Sequence, residues 1–106
     1  MYDFLDGAHT YYVSIITNKN RTVLYTGVTN NLHRRLNEHH VKRNPGSFAA
    51  RYIVEFLIYY EKFGWIQQAI AREKEIKLMS RMKKLTLIRE YNPNLNFLNH
   101  LFQTDY

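Results

Sequence analysis

Tyr25, Gly27, Arg35, His39 and Glu73 are the residues of this chain whose types and spacing could do chemistry. Tyr25 and Gly27 stand at the end of a β-branched, apolar run, Thr22-Val23-Leu24-Tyr25-Thr26. A glycine at a strand end lets something approach the backbone closely. Arg35 and His39 are four residues apart, so on a helix they lie one above the other. The product is a strand-end phenol and, one tight turn later, a cation with an imidazole. Glu73 is a carboxylate inside an apolar helical stripe, which is costly unless it is paired or binds a metal. Each residue also has an ordinary structural reading. Tyr25 could be a core tyrosine with a satisfied hydroxyl, and His39 and His40 plain helix residues. Arg35 could position a phosphate without catalysis, and Glu73 could sit in a buried ion pair with a nearby arginine.

The elements that must position these groups follow from local pattern. Tyr11–Thr17 is a strand by composition, Asn18–Arg21 a turn, and Thr22–Thr26 a strand returning antiparallel to the first. Asn30 or Asn31 offers an N-cap to a helix over about 31–42, with Leu32, Leu36 and His39/His40 at helical spacing. Lys42–Ser47 is a basic loop with a Pro-Gly turn signal, and Tyr52–Tyr60 is the most strand-like run, closed by Gly64. From Trp65 to Ser80 the periodicity is helical. Ile66, Ala69, Ile70, Ile76 and Lys77 share one face, with Glu73 near its middle and Glu75 opposite. Arg81–Tyr91 reads as a further helix, apolar through Met82, Leu85, Leu87 and Ile88, and ended by Pro93. Residues 1–9 show no periodicity and read as a loose arm, 10–98 as the domain, and 99–106 as a tail.

With 106 residues, the chain has room for one modest core. Nine Tyr, six Phe and Trp65 argue for a folded globule rather than disorder. Fifteen Lys and Arg against nine Asp and Glu leave a net charge of +6, a balance that favours polyanions, nucleic acid foremost. Lys42, Arg43, Arg51 and Lys77 are candidate nucleic-acid contacts, with solvated basic faces as the ordinary alternative. The absence of cysteine excludes disulfides and thiolate zinc sites. No stretch is apolar enough to span a bilayer, and the acidic start lacks the basic region of a signal peptide, so a cytoplasmic location is expected.

Tyr25-Thr26-Gly27, with Arg35 ten residues after the tyrosine, resembles the second half of the signature of the GIY-YIG nuclease family. Tyr11-Tyr12-Val13, Val23 to Asn30 and Ala69 to Lys74 extend the likeness to the compact, stand-alone bacterial members. A looser likeness reaches the N-terminal nuclease domain of the nucleotide-excision-repair incision subunit. The resemblance implies an α/β (α+β) fold, a small three-stranded antiparallel sheet flanked by helices. It also implies a metal-dependent endonuclease that hydrolyses DNA phosphodiester bonds, in repair or recombination.

Carried over residue by residue, Tyr25 takes the place of the second tyrosine, Arg35 of the arginine and His39 of a histidine found in some members. Glu73 takes that of the metal-binding glutamate, with Mg²⁺ or Mn²⁺ implied, and Asn96 that of an asparagine near the domain's end. Gly27 is a supporting residue. The sequence departs from the family at the first tyrosine, where Ser14 stands eleven residues before Tyr25. Tyr12, two residues away and on the same strand face, could supply a phenol instead, or Ser14 could retain only a hydroxyl. The alternative on the same fold is a catalytically weak or inactive nucleic-acid-binding module. A third reading is a protein-interaction domain using its aromatic surface. With a single domain, target choice by the nuclease is expected to come from DNA shape, a protein partner or self-association.

Overall fold

A computed structural model describes residues 10–41 and 53–102 of the chain. Strand β1, Tyr11–Thr17, is the middle of a three-stranded antiparallel sheet in the order β2-β1-β3. With neighbours on both edges and layers on both faces, β1 carries an apolar, β-branched run, interrupted at its centre only by Ser14.

Strand β2 is Leu24–Thr29 rather than Thr22–Thr26. The reason lies in the turn before it, where Asn18 Oδ1 accepts from the amides of Thr22 (2.8 Å) and Val23 (3.1 Å) and withdraws both from the ladder. Arg21 closes that turn with a φ of 59°, and its amide donates to the Asn18 carbonyl. At the other end the pairing runs on through Ser14↔Gly27 to Tyr12↔Thr29, so Gly27 lies within the strand and does not end it.

Helix α1, Leu32–Val41, starts at Asn31, whose Oδ1 accepts from the Arg34 amide at 2.9 Å. Leu32 and Leu36 are fully buried and pack with Ile16, Val54 and Leu57 on one face of the sheet.

Strand β3, Phe56–Phe63, begins four residues later than its composition suggests and stops just before Gly64. Ile53 has a φ of 52°, which breaks the extended backbone there. A bulge opposite Ile15 and Ile16 places Ile58 and Tyr59 consecutively in one layer while Leu57 serves the other.

Helices α2, Ile66–Lys77, and α3, Arg81–Tyr91, cover the second face with Ala69, Ile76 and Ile88 against Tyr11, Val13 and Ile15. Helix α2 is shorter than its periodicity suggests, and Ile66 and Ile70 are each 40% exposed. Glu73 therefore stands at the margin of the buried stripe and not at its middle. Helix α3 has the boundaries its caps announce, although Met82 is exposed rather than packed. Ser80 Oγ accepts from the Lys83 amide at its start, and Asn92 caps its end.

The packed chain continues past residue 98 through a single 3-10 turn, Asn99–Leu101, to Phe102. Asn99 Oδ1 accepts from the Leu57 amide and its Nδ2 donates to the Glu55 carbonyl, tying this segment to the β3 edge. Among the described residues no helix is long and apolar enough to cross a membrane.

Candidate active site

A small cavity of about 120 Å³ opens at the β2 edge of the sheet and is lined from three elements besides β2 itself. Strand β1 contributes Ser14 and Ile16, α1 contributes Arg35, and α2 contributes Glu73 and Lys77. Strand β2 supplies Tyr25, Thr26, Gly27 and Val28. The strand register explains the grouping. Ser14 pairs with Gly27 and Ile16 with Tyr25, so these four point to the α1 face, while Thr26 and Val28 alternate to the α2 face. The cavity straddles the edge between the two.

Tyr25 is 41% exposed, so its phenol belongs to the surface of the cavity and not to the core. Arg35 Nη2 donates to the Val28 carbonyl at 3.2 Å, which holds the guanidinium beside β2. Glu73 has one-fifth of its side chain exposed, and its Oε2 lies 3.5 Å from Lys77 Nζ one helical turn on. Among the described residues no arginine pairs with Glu73. The arginine next to it, Arg72, turns to the other flank of α2 and pairs with Glu61.

Gly27 has space above it. A Cβ built there would meet Tyr25 Cε1 at 3.9 Å, an ordinary contact, so neither sterics nor conformation within the protein demands glycine. What glycine preserves is room over Ser14 and beside the Tyr25 ring. Gly27→Ala is accordingly expected to change stability by less than about 1 kcal/mol. It should lower activity at this cavity by roughly tenfold or more, because a methyl group displaces what binds there. Melting curves and rates on the same preparation check both halves.

The donor set suits a hard divalent cation. Glu73 is the carboxylate that lines the cavity, and among the described residues no group of three or more histidines or acidic residues is gathered as a zinc centre would require. Magnesium keeps several waters and needs few protein ligands. Thr26, in the same lining, has a buried hydroxyl with no hydrogen-bond partner among the described residues.

Of the other residues singled out by sequence, Tyr12 does not line the cavity. Its ring packs edge-on against Tyr60 (6.2 Å) and Phe102 (5.7 Å) on the α1 face, so Ser14 and not Tyr12 faces Gly27. Asn96 is exposed and bound through its backbone to the Asn92 side chain, away from the cavity. His39 belongs to α1, but its side chain lies outside the described residues, as do Lys42, Arg43 and Arg51.

Two polar features escape a reading by pattern. One is Asn92, buried at the end of α3. The other is the cluster of Tyr59, Glu61, Arg72 and Glu75. Burial and the Glu61 carboxylate push the Tyr59 phenol well above the usual tyrosine range, and its two carboxylates hold Arg72 still more firmly protonated. The only signal for either in the sequence is a charged or amide residue at an inward position of its element.

A small antiparallel sheet with helices on both faces defines an α+β domain, and a carboxylate, a guanidinium and a phenol gather at one edge of that sheet. The chain belongs to the GIY-YIG family: residues 10–86 match the model of the GIY-YIG catalytic domain. Its relatives include the UPF0213 protein of Syntrophus aciditrophicus (strain SB), 38% identical over 86 residues that span 77% of this chain and 92% of that one. UPF0213 protein SH2523 of Staphylococcus haemolyticus is 38% identical over 80 residues, spanning 76% and 95%. The solution NMR structure of UPF0213 protein BH0048 from Bacillus halodurans superposes with a TM-score of 0.53 at 26% identity, covering 90% of this chain and 99% of that one.

Proposed function

We propose that this chain is a metal-dependent DNA endonuclease whose centre is the cavity at the β2 edge. The observation that carries the proposal is convergence. Tyr25 and Arg35, ten residues apart, and Glu73, thirty-eight residues further on, come from a strand and two helices and line one small cavity, in a chain of the GIY-YIG family.

Hydrolysing a phosphodiester takes an activated water, neutralisation of charge on the phosphoryl oxygens and assistance to the leaving oxygen. Tyr25 accepts the proton of the attacking water, and its exposure lets that water reach the phenol. Arg35 and Lys77 bring positive charge to the same lining. Arg35 presents its fork of donors to the scissile phosphate. Glu73 would hold a divalent cation, Mg²⁺ or Mn²⁺, which would supply Lewis-acid stabilisation of the departing oxygen. Lys77 is released from Glu73 to the phosphate backbone. By the family resemblance His39 would relay the proton or hold Tyr25, and Ser14 would offer a hydroxyl. Lys42, Arg43 and Arg51 extend the backbone contact, so affinity for DNA should fall steeply as salt rises.

The test is cleavage of supercoiled plasmid and branched DNA with Mg²⁺ or Mn²⁺ by the native chain, Glu73→Ala and Tyr25→Phe. Nicking by the native chain that both variants lose supports the proposal. A second reading, a nucleic-acid-binding module that cuts poorly, draws on one observation: with Tyr12 packed against Tyr60 and Phe102, Tyr25 is the one phenol among the described residues that line the cavity. DNA retarded in a salt-dependent manner by all three proteins, and cut by none, would favour that reading.

A further inference from the structure

Arg72 precedes Glu73 in sequence but serves the opposite flank of α2. At about 3.6 residues per turn, neighbours on a helix differ by roughly 100° in direction. Ala69 and Ile76, fully buried, mark the direction that faces the sheet. Arg72 falls to one side of that line and Glu73 to the other.

On its side Arg72 reaches β3, the sheet edge furthest from the cavity. Its Nε donates to Glu61 Oε1 at 3.0 Å and its Nη2 to Glu61 Oε2 at 3.0 Å, a two-pronged contact at partial exposure. The buried Tyr59 hydroxyl, from the same strand, donates to Glu61 Oε2 as well. A further contact, Arg72 Nη1 to Glu75 Oε1 at 2.6 Å, lies within α2. Contacts within a helix turn with it and cannot oppose its rotation. The pair between α2 and β3 can.

We propose that Arg72 and Glu61, braced by Tyr59, are positioning residues that fix the rotation of α2 about its own axis and so hold the Glu73 carboxylate at the cavity. The inference rests on the reading of Glu73 as the metal ligand. Helix side chains end about 5–6 Å from the axis, so a roll of ~10° moves the carboxylate roughly 1 Å. A misplacement of that size can cost about 10²-fold in rate. The packing of Ala69 and Ile76 on the sheet sets the coarse facing of α2, and the Arg72–Glu61 fork fixes it more finely. Ala69 and Ile76 pack without directional bonds, and Lys77, the ion-pair partner of Glu73, rides on the same helix.

The experiment compares the native chain with Glu61→Gln, which keeps shape and loses charge, and Arg72→Lys, which keeps charge and loses the fork. Glu75→Gln is the control, because it removes only the contact internal to α2. The readouts are Mn²⁺ affinity by electron paramagnetic resonance, metal-dependent cutting and, before metal is added, nuclear Overhauser contacts from Glu73 and Lys77 to Thr26 and Gly27. Glu61→Gln and Arg72→Lys are expected to weaken Mn²⁺ binding about tenfold and to cut between about 10- and 100-fold more slowly. The metal-free contacts should weaken while α2 stays helical, and Glu75→Gln should change none of these. Native-like contacts and Mn²⁺ affinity in both β3-anchor variants would overturn the proposal, even if their melting points fell. A native chain that neither binds Mn²⁺ nor cuts would count against the nuclease reading instead, and the metal-free contacts would still decide the role of Arg72.

Discussion

Glu73→Gln is expected to lower metal-dependent cutting by roughly 10³-fold and to leave the fold intact. The two effects separate because the carboxylate does little for stability. Its ion pair with Lys77 spans 3.5 Å within one helix, and the lysine is more than half exposed. Such pairs contribute about 0.5 kcal/mol or less. Glutamine keeps the length and shape of the side chain, so the packing of Ala69 and Ile76 on either side is untouched. The loss in the reaction is much larger. On the proposed mechanism the cavity would lose the anionic ligand that retains the cation, and Lewis-acid stabilisation of a departing oxygen is worth several kcal/mol. About 4 kcal/mol corresponds to the stated factor. Single-turnover nicking at saturating DNA, with a melting curve for each protein, measures both. Cutting within tenfold of the native rate would show that Glu73 does not hold the metal.

Asn92→Ala is expected to be the most damaging single substitution to stability among the polar residues, at about 3 kcal/mol. Asn92 is 7% exposed and closes α3 onto the sheet. Its Nδ2 donates to the Ile58 carbonyl at 2.9 Å and to the Asn96 carbonyl at 2.9 Å, and its Oδ1 accepts from the Asn96 amide at 3.0 Å. Alanine removes all three bonds and strands the Ile58 carbonyl, which belongs to a fully buried residue. Each unsatisfied buried group costs about 1–3 kcal/mol. Solvent can reach the exposed Asn96 groups, so the burden falls on the Ile58 carbonyl and the freed turn. For a domain of this size the thermal midpoint should drop by more than about 10 °C. Asn96→Ala, which removes no side-chain bond among the described residues, should change it by no more than a degree or two. A small shift at Asn92 would mean that water replaces the amide at Ile58.

Signals that act within a few residues were legible in the sequence. The limits of α3 are set by Ser80 and by Asn92-Pro93, and α1 begins where Asn31 can cap it. The order of strands and helices follows from the alternation and periodicity of their apolar residues. Tyr25, Arg35 and Glu73 could each be singled out because each breaks or decorates a local pattern.

What joins distant segments was not legible. Strand β2 starts late because Asn18 takes two amides that its composition assigns to the ladder. Strand β3 starts late because the backbone turns at Ile53. Glu73 sits at the rim of its stripe because α2 is rotated to bury Ala69 and Ile76, with Arg72 drawn to Glu61 on the far side. Ser14 rather than Tyr12 faces Gly27 because the pairing of β1 with β2 puts it there, while Tyr60 and Phe102 take up the Tyr12 ring.

The sequence by itself therefore determined which elements form, in which order, and which residue types they carry. Capping, alternation and helical periodicity operate over a turn or a strand, where chain connectivity already brings the groups together. Only the tertiary structure decided that a phenol, a guanidinium and a carboxylate share one cavity, because strand register and helix rotation are set by packing between segments that the chain keeps far apart.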